Sequence, residues 1–297
     1  MANYSIRDLE RLSGVKAHTI RIWEQRYGLL TPARTKTNIR TYDDTQLKRL
    51  LNVSLLLDQG YKISKVSRFT TSEINEIIQE LYSNTLEHST DHSLEVKANG
   101  LMLSMIDFDE DKFHKIFSTS VIRRGFKAAV VQLIYPFLEK VGVLWSIGEL
   151  NPAQEHFVSN IIRQKIIVAI DGLDTPKNPE KRHLLFLPEG EYHELGLLIA
   201  YYILKANGIH VTYLGQNVPF DDLKQVVQVS KPDVLQTFMV TPVPLSESQD
   251  FLDRLAISFP GMPVYMSGPS RTFEGLTFPP HFIYMDSIDA LEQELID

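Results

Sequence analysis

The sequence predicts a multidomain chain of α and α/β class: a winged helix-turn-helix, then a four-helix bundle, then a Rossmann-like parallel sheet. Three observations predict it. Over residues 183–297, continuous apolar runs alternate with helical patterns, as in a parallel sheet buried on both faces. Over residues 88–173, four helical stretches follow one another with short breaks. Over residues 1–72, two short helices meet at Ser13-Gly14, and the second has a basic face. These spans are the expected domains, with the polar runs 88–92 and 174–182 reading as linkers.

Composition bounds the reading. At 297 residues the chain has room for two or three domains. It has no cysteine, which excludes disulfides and thiolate metal sites and fits a cytoplasmic protein. No apolar run approaches the roughly 20 residues that span a bilayer. The first residues lack the apolar core of a signal peptide, so no membrane partner is expected. The net charge of −7 conceals an asymmetry. Residues 1–70 carry 13 Lys+Arg against 6 Asp+Glu, a balance of +7, while the remainder carries 17 against 31, a balance of −14. A polyanion is drawn to the first segment and repelled by the rest.

Ser5 can cap a first helix ending near Leu12, with Ile6 and Leu9 facing inward. A second helix runs from about Lys16 to Tyr27, and Ile20, Trp23 and Tyr27 fall on one core-facing stripe. Its other face carries His18, Thr19, Arg21, Gln25 and Arg26, the kind of face a recognition helix turns to the major groove. Pro32 and the alternation through Arg34, Lys36, Asn38, Arg40 and Tyr42 suggest a short β-wing whose arginines lie against phosphates. Asp43 or Asp44 can cap a third helix over Leu47, Leu50, Leu51 and Leu55, ended by Gly60. A fourth short helix covers 63–69, and a moderate helix without a heptad repeat covers 72–86.

The run Thr19-Ile20-Arg21-Ile22-Trp23-Glu24-Gln25-Arg26-Tyr27-Gly28-Leu29-Leu30, with Arg34 and Asn38-x-Arg40-x-Tyr42 after it, resembles the winged helix-turn-helix of the MerR transcription regulators. The resemblance covers the first 70 residues and implies a double-stranded DNA operator as partner. It places Thr19, Arg21 and Arg26 near the groove, and Arg34, Arg40 and Tyr42 on the DNA backbone, with Asn38 in the same wing element. Trp23 and Tyr27 are, by their spacing, core residues.

The middle segment is expected to form helices over about 93–107, 110–123, 126–146 and 152–172, the third kinked at Pro136. Trp145 closes the third helix. Glu155 and His156 lie in the first turns of the fourth, after Asn151 as cap and Pro152 at its first position. Trp145, nine residues, then Glu155-His156 are similar to the Trp-x9-Glu-His element of the CarH/LitR-type adenosylcobalamin photoreceptors. There the bundle covers the upper face of the cofactor. The resemblance implies that Trp145 packs on the adenosyl group, that Glu155 bonds its ribose, and that His156 binds cobalt after light releases that group.

In the last domain the expected strands are 183–188, 210–214, 234–240, 264–266 and 282–285, with helices ending near 206, 229, 259 and 296. The hexapeptide Glu191-Tyr192-His193-Glu194-Leu195-Gly196 follows the first strand, at the carboxyl end where open α/β sheets bind ligands. A His there can bind a metal through one ring nitrogen while a partner orients the other. The hexapeptide resembles the Glu/Asp-x-His-x-x-Gly signature of cobalamin-binding domains, built here on Glu191, His193 and Gly196. This implies that His193 is the lower axial ligand of the corrin cobalt. The family also has a Ser-x-Leu and a Gly-Gly element that accommodate the threaded nucleotide tail. The corresponding positions look like Thr237-Phe238-Met239 and Ser267-Gly268, with Phe238 pointing to the opposite face of its strand from Thr237.

Together these readings imply a transcription regulator controlled by adenosylcobalamin, and by light through photolysis of its cobalt–carbon bond, working as a homo-oligomer (a dimer or a tetramer). The alternative is a cobalamin-independent regulator whose last domain mediates assembly or partner binding. A corrinoid carrier for methyl transfer has no use for a DNA-binding module. No Ser/His/Asp set, phosphate loop or paired-carboxylate site points to catalysis, so no enzyme is expected.

Overall fold

Ser5 opens α1 (Ile6–Ser13). Its hydroxyl accepts from the Asp8 amide at 3.3 Å, and the Asp8 carboxylate accepts from the Ser5 amide at 2.7 Å. This capping box satisfies two amides that a helix start leaves without partners. Gly14, at φ 74°, ends the helix in the left-handed region. Helix α2 (Ala17–Tyr27) buries Ile20 and Trp23 and half-buries Tyr27, the stripe expected from their spacing. Strands β1 (Ala33–Arg34) and β2 (Arg40–Thr41) pair antiparallel as the wing. Asp43 accepts from the Gln46 amide at 2.9 Å and so caps α3 (Asp44–Asp58). That helix buries Leu47, Leu50, Leu51, Leu55 and Leu56 and is the axis of the module. Helices α4 (Ile63–Val66) and α5 (Thr71–Asn84) follow.

The computed structural model describes residues 4–35, 37–84, 91–146, 151–174 and 181–294. Lys36, the end of the helix expected to 86, most of both expected linkers and residues 147–150 before the fourth bundle helix lie outside the described residues. The linker expected at 88–92 is corrected at its end, because helix α6 (Asp91–Asp107) already starts at Asp91. An acidic residue at a helix start is favoured by the helix dipole, so a polar run there does not exclude helix.

Helix α7 (Glu110–Arg124) comes next, capped by Asp109, which accepts from the Lys112 amide at 2.9 Å. The third helix of the bundle has three parts: α8 (Phe126–Ala129), a π-helical turn (Val130–Ile134) and α9 (Tyr135–Ser146). The irregularity expected at Pro136 is this widened turn. Proline cannot donate to residue i−4 and crowds its carbonyl, and the π register just ahead of it absorbs the mismatch. Helix α10 (Pro152–Asp171) completes the segment. Among the described residues no helix is long and apolar enough to cross a membrane. The chain divides into two compact units, residues 1–158 and 159–297, with the boundary inside α10.

In the second unit, strands and helices alternate. They are β3 (Arg182–Pro188), α11 (Leu195–Ala206), β4 (His210–Val218), α12 (Phe220–Ser230), β5 (Val234–Phe238) and α13 (Leu245–Ser258). Then come β6 (Val264–Ser267), α14 (Ser270–Phe273), β7 (Phe282–Tyr284) and α15 (Ile288–Gln293). The five strands are parallel, in the order β4-β3-β5-β6-β7. Strand β4 runs four residues past the expected Leu214, because Gly215 at φ 79° takes up a register shift against β3.

Alternation along the strands assigns two faces. Leu184, Phe186, Leu235, Met239 and Met266 point into a core shared with Phe220 and Leu223 of α12 and Leu252 and Leu255 of α13. His183, Gln236, Phe238 and Tyr265 point the other way, toward α11 and α15. On that side Tyr201 of α11 stacks on Tyr213 of β4 at 5.1 Å, and Tyr265 donates to Glu294, next to α15, at 3.3 Å.

Candidate functional site

The exposed face of α2 carries His18, Arg21, Gln25 and Arg26, with Thr19 half-buried beside them. Arg26 lies over the Tyr27 ring at 5.5 Å. In the wing, Arg34 donates to Asn38 Oδ1 at 2.6 Å, and Asn38 holds φ 65°, a turn conformation that Asn tolerates. Both are exposed. Arg40 is half-buried and pairs through Nε with Glu24 at 3.2 Å. The expectation that Tyr42 touches the DNA backbone is corrected. Tyr42 is 1% exposed, its hydroxyl donates to Glu24, and its backbone bridges to Tyr4 at 2.7 and 2.9 Å. Burial, and then the bond to Glu24 and its charge, push its phenol far above the usual range. Tyr42 thus ties the wing to α2, and the alternation that suggested an outward Tyr described an inward one.

The face of α2 makes a prediction. Replacing Arg21 and Arg26 together with Ala is expected to weaken duplex DNA binding without unfolding the module, since both side chains are exposed. If each neutralises one phosphate, the slope of log affinity against log salt flattens by about 2. Anisotropy titrations of labelled duplex at several salt concentrations check this, and an unchanged slope removes both arginines from the interface.

At the start of α10, Asn151 Oδ1 accepts from the Ala153 amide at 2.9 Å, the cap expected from sequence. Gln154 donates to the Ile106 carbonyl at 3.5 Å, and Phe157 packs edge-on against Phe108 at 5.4 Å, so the helix start sits on the α6–α7 turn. Glu155 and His156 are adjacent and paired, Glu155 Oε2 to His156 Nδ1 at 2.8 Å, with the His156 side chain 73% exposed. Trp145 lies in the last turn of α9, and its side chain is outside the described residues.

The loop after β3 is built around Glu191, which is 5% exposed. Its Oε1 accepts from the amides of Tyr192 (3.0 Å) and His193 (3.1 Å), from His193 Nδ1 (2.5 Å) and from the Thr241 hydroxyl (3.0 Å). Its Oε2 accepts from the amides of Val240 (2.8 Å) and Thr241 (2.7 Å). Burial alone would raise the carboxyl pKa, but the bonds from His193, Thr241 and Val240 outweigh it and hold it at about 2. A charged Glu191 therefore ties the loop after β3 to the loop after β5. It also fixes the tautomer of His193, with hydrogen on Nδ1, so that Nε2 is the atom able to ligate a metal. The His193 side chain is half exposed.

Sequence reasoning missed several parts of this arrangement. Thr241 lies 50 residues from Glu191 and belongs to no motif. Asn217, on the extension of β4, accepts from the Gly190 amide at 2.8 Å and donates its own amide to the Glu191 carbonyl at 3.1 Å. Arg163 of α10 pairs with Glu194, which also accepts from Tyr213 at 3.3 Å. Glu194 is buried between Arg163 and Tyr213. Only the fold brings these groups together.

The structure places two of the expected tail-site residues on the other side of the sheet from Gly196. Thr237 and Met239 face α12 and α13, and Met239 lines a cavity there with Phe220 and Phe251. Phe238, one residue over, faces α11. A Cβ added at Gly196 would lie 2.6 and 2.7 Å from its ring carbons. In a strand one residue of offset changes the face, so Phe238 borders Gly196 and Thr237 and Met239 do not. Ser267 pairs with Phe238 and shares its face. Gly268 does have to be glycine, because at φ 147° a Cβ would collide with the Met239 carbonyl oxygen.

These residues can be tested against a corrinoid. Among the described residues no group of three or more His, Cys, Asp or Glu could hold a bare metal ion. One oriented imidazole suits a metal that arrives with its other ligands, as cobalt does in a corrin. The axial position therefore fits. The space beside Gly196 is filled by the Phe238 ring.

Comparisons with known proteins converge on the same chemistry. Residues 4–73 match the family model of the MerR HTH family regulatory proteins, and residues 98–169 match that of a B12 binding domain. The chain is 30% identical over 268 residues to the HTH-type transcriptional repressor CarH of Myxococcus xanthus, covering 89% of this chain and 88% of that one. To the repressor CarA of the same organism it is 26% identical over 265 residues, covering 89% and 85%. Among solved structures, the monomethylamine corrinoid protein of Methanosarcina barkeri matches with TM-score 0.54 at 15% identity, over 66% of this chain and 95% of that one, a likeness of fold.

Proposed function

The chain belongs to the CarH family of HTH-type transcriptional repressors, and we propose that the DNA-binding regulator it forms is controlled by adenosylcobalamin and, through that cofactor, by light. The observation that carries this reading is His193, half exposed at the carboxyl end of β3 and oriented through Nδ1 by the buried Glu191 at 2.5 Å. His193 would be the lower ligand of cobalt, with Glu191 and Thr241 holding it. Trp145 and Glu155 would meet the upper ligand, and His156 would take cobalt when that ligand leaves. The cofactor supplies a photolabile cobalt–carbon bond, and that chemistry is its own.

The functional parts are the proposed domains 1–72, 88–173 and 183–297. The regulator acts in the cytoplasm as a homo-oligomer, a dimer or tetramer, whose DNA-competent state the bound cofactor favours. A ligand shifts such an equilibrium only by its differential affinity for the two states. The test is DNA affinity and particle mass for protein loaded with adenosylcobalamin in the dark and again after green light. Dark loading is expected to raise DNA affinity about tenfold or more, within the usual range of coupling between sites, and light to reverse it.

One observation favours a second reading. The Phe238 ring fills the space beside Gly196, as in a domain that keeps the fold and works without the vitamin. Equal DNA affinity and mass with and without the cofactor select that reading.

A further inference from the structure

Single exposed apolar side chains are common on protein surfaces, so only their placement is informative. Among the described residues up to Asn84, the exposed large apolar side chains are Ile22, 50% exposed, and Ile39, 60% exposed. Ile22 stands on α2, and Ile39 stands in the turn between the two strands of the wing. Both therefore lie on the elements that carry the exposed arginines of the module.

Ile22 has the more telling surroundings. Helical spacing puts it one turn after His18 and one turn before Arg26, with Arg21 and Gln25 at its sides. All four of these side chains are exposed, so Ile22 is the apolar centre of a polar, cationic face. The core of the module takes Ile20 and Trp23 from the other side of the helix. The free module gains little from an isoleucine at this position. A β-branched residue is a weaker helix former than Ala, Arg or Gln, and half of this one stays in water. Its natural counterpart is an apolar group on a polyanion. Among the base edges that line the major groove of DNA, the 5-methyl group of thymine is that group.

We propose that Ile22 reads a thymine of the operator by packing on its 5-methyl group, and so sets one base of the sequence preference. The arginines beside it supply attraction to phosphate, which carries no sequence information. The inference deepens the DNA-binding role, resting on α2 as the helix that enters the groove, and it does not depend on the cofactor.

The test begins with full-length protein, loaded with adenosylcobalamin in the dark and also cofactor-free, enriching duplexes from a randomised pool. The form that binds more tightly goes forward. The enriched duplex is remade with uracil in place of one thymine at a time, which removes a single methyl group and keeps the base pair. Anisotropy titrations then compare wild type, Ile22→Val and Ile22→Ala. Wild type is expected to lose about fourfold in affinity at one thymine, the effect of one buried methyl group. Ile22→Ala is expected to lose at least as much on the thymine duplex and to be indifferent to uracil at that position, because both changes remove the same contact. Ile22→Val, which keeps the branch, should retain most of the discrimination. The salt slope of Ile22→Ala should equal that of wild type, since no phosphate contact is lost. Thermal unfolding is expected to change little, as for any exposed side chain. If wild type and Ile22→Ala respond alike to uracil at every position, Ile22 touches no thymine methyl and the proposal is overturned. Enrichment of no sequence, or of one without thymine, overturns it as well. Equal DNA affinity of the loaded and cofactor-free forms would count against cofactor control alone, because either form can be titrated with these duplexes.

Discussion

His193→Ala is expected to lower corrinoid affinity by about a hundredfold or more, above the 10–100-fold that loss of a supporting partner around a metal ligand costs. The reason is arithmetic of ligands. Among the described residues no cluster could replace His193, and a corrin leaves the protein one lower position to fill. The stability of the fold should change little. Of the contacts on Glu191, the substitution removes only the one from the ring nitrogen, while the amides of Tyr192, His193, Val240 and Thr241 and the Thr241 hydroxyl stay in place. Absorbance titration therefore separates the two effects: affinity collapses while the melting temperature holds. His156→Ala is the control, since His156 is mostly exposed and is expected to matter after illumination rather than in the dark. Full affinity in His193→Ala would remove it from the cobalt.

Much of this was legible in the sequence because the signals were local. Helix stripes such as Ile20 and Trp23, the Asn151-Pro152 start and the alternation of apolar strands with helices all depend on neighbours within a few residues, and the structure follows them closely. The loop from Glu191 to Gly196 was legible for the same reason, since a carboxylate two residues before a His reaches its ring within one turn of chain. What failed depended on which way a strand faces. Tyr42 points in rather than out, and Phe238 rather than Thr237 lies over Gly196. Period-two alternation gives both faces equal standing until packing chooses between them. Thr241, Asn217 and Arg163 were not legible at all, because their partners lie far away in sequence and a single Thr, Asn or Arg has no pattern.

The second large effect is expected at Glu191. Glu191→Ala should destabilise the second unit by about 2–4 kcal/mol, because the buried donors that converge on it lose their acceptor while remaining buried. Two loops come apart at once, the one after β3 and the one at Val240 and Thr241. Corrinoid affinity should also fall, because His193 loses the partner that fixes its tautomer. The charge makes the same contribution depend on pH. With the folded-state carboxyl held at about 2, well below its ordinary value, the stabilisation is fully present above the ordinary carboxylate range and is lost as pH falls from there toward 2. A shift of this size is worth about 3 kcal/mol at neutral pH, by the 1.36 kcal/mol carried by each pKa unit. Urea unfolding of wild type and Glu191→Gln across pH 2 to 7 reads it directly. Wild type should be the more stable at pH 7, and the two curves should converge as the acid limit is approached. If the gap is the same at both ends, the carboxylate charge contributes nothing, and the loop is held by the shape of the side chain alone.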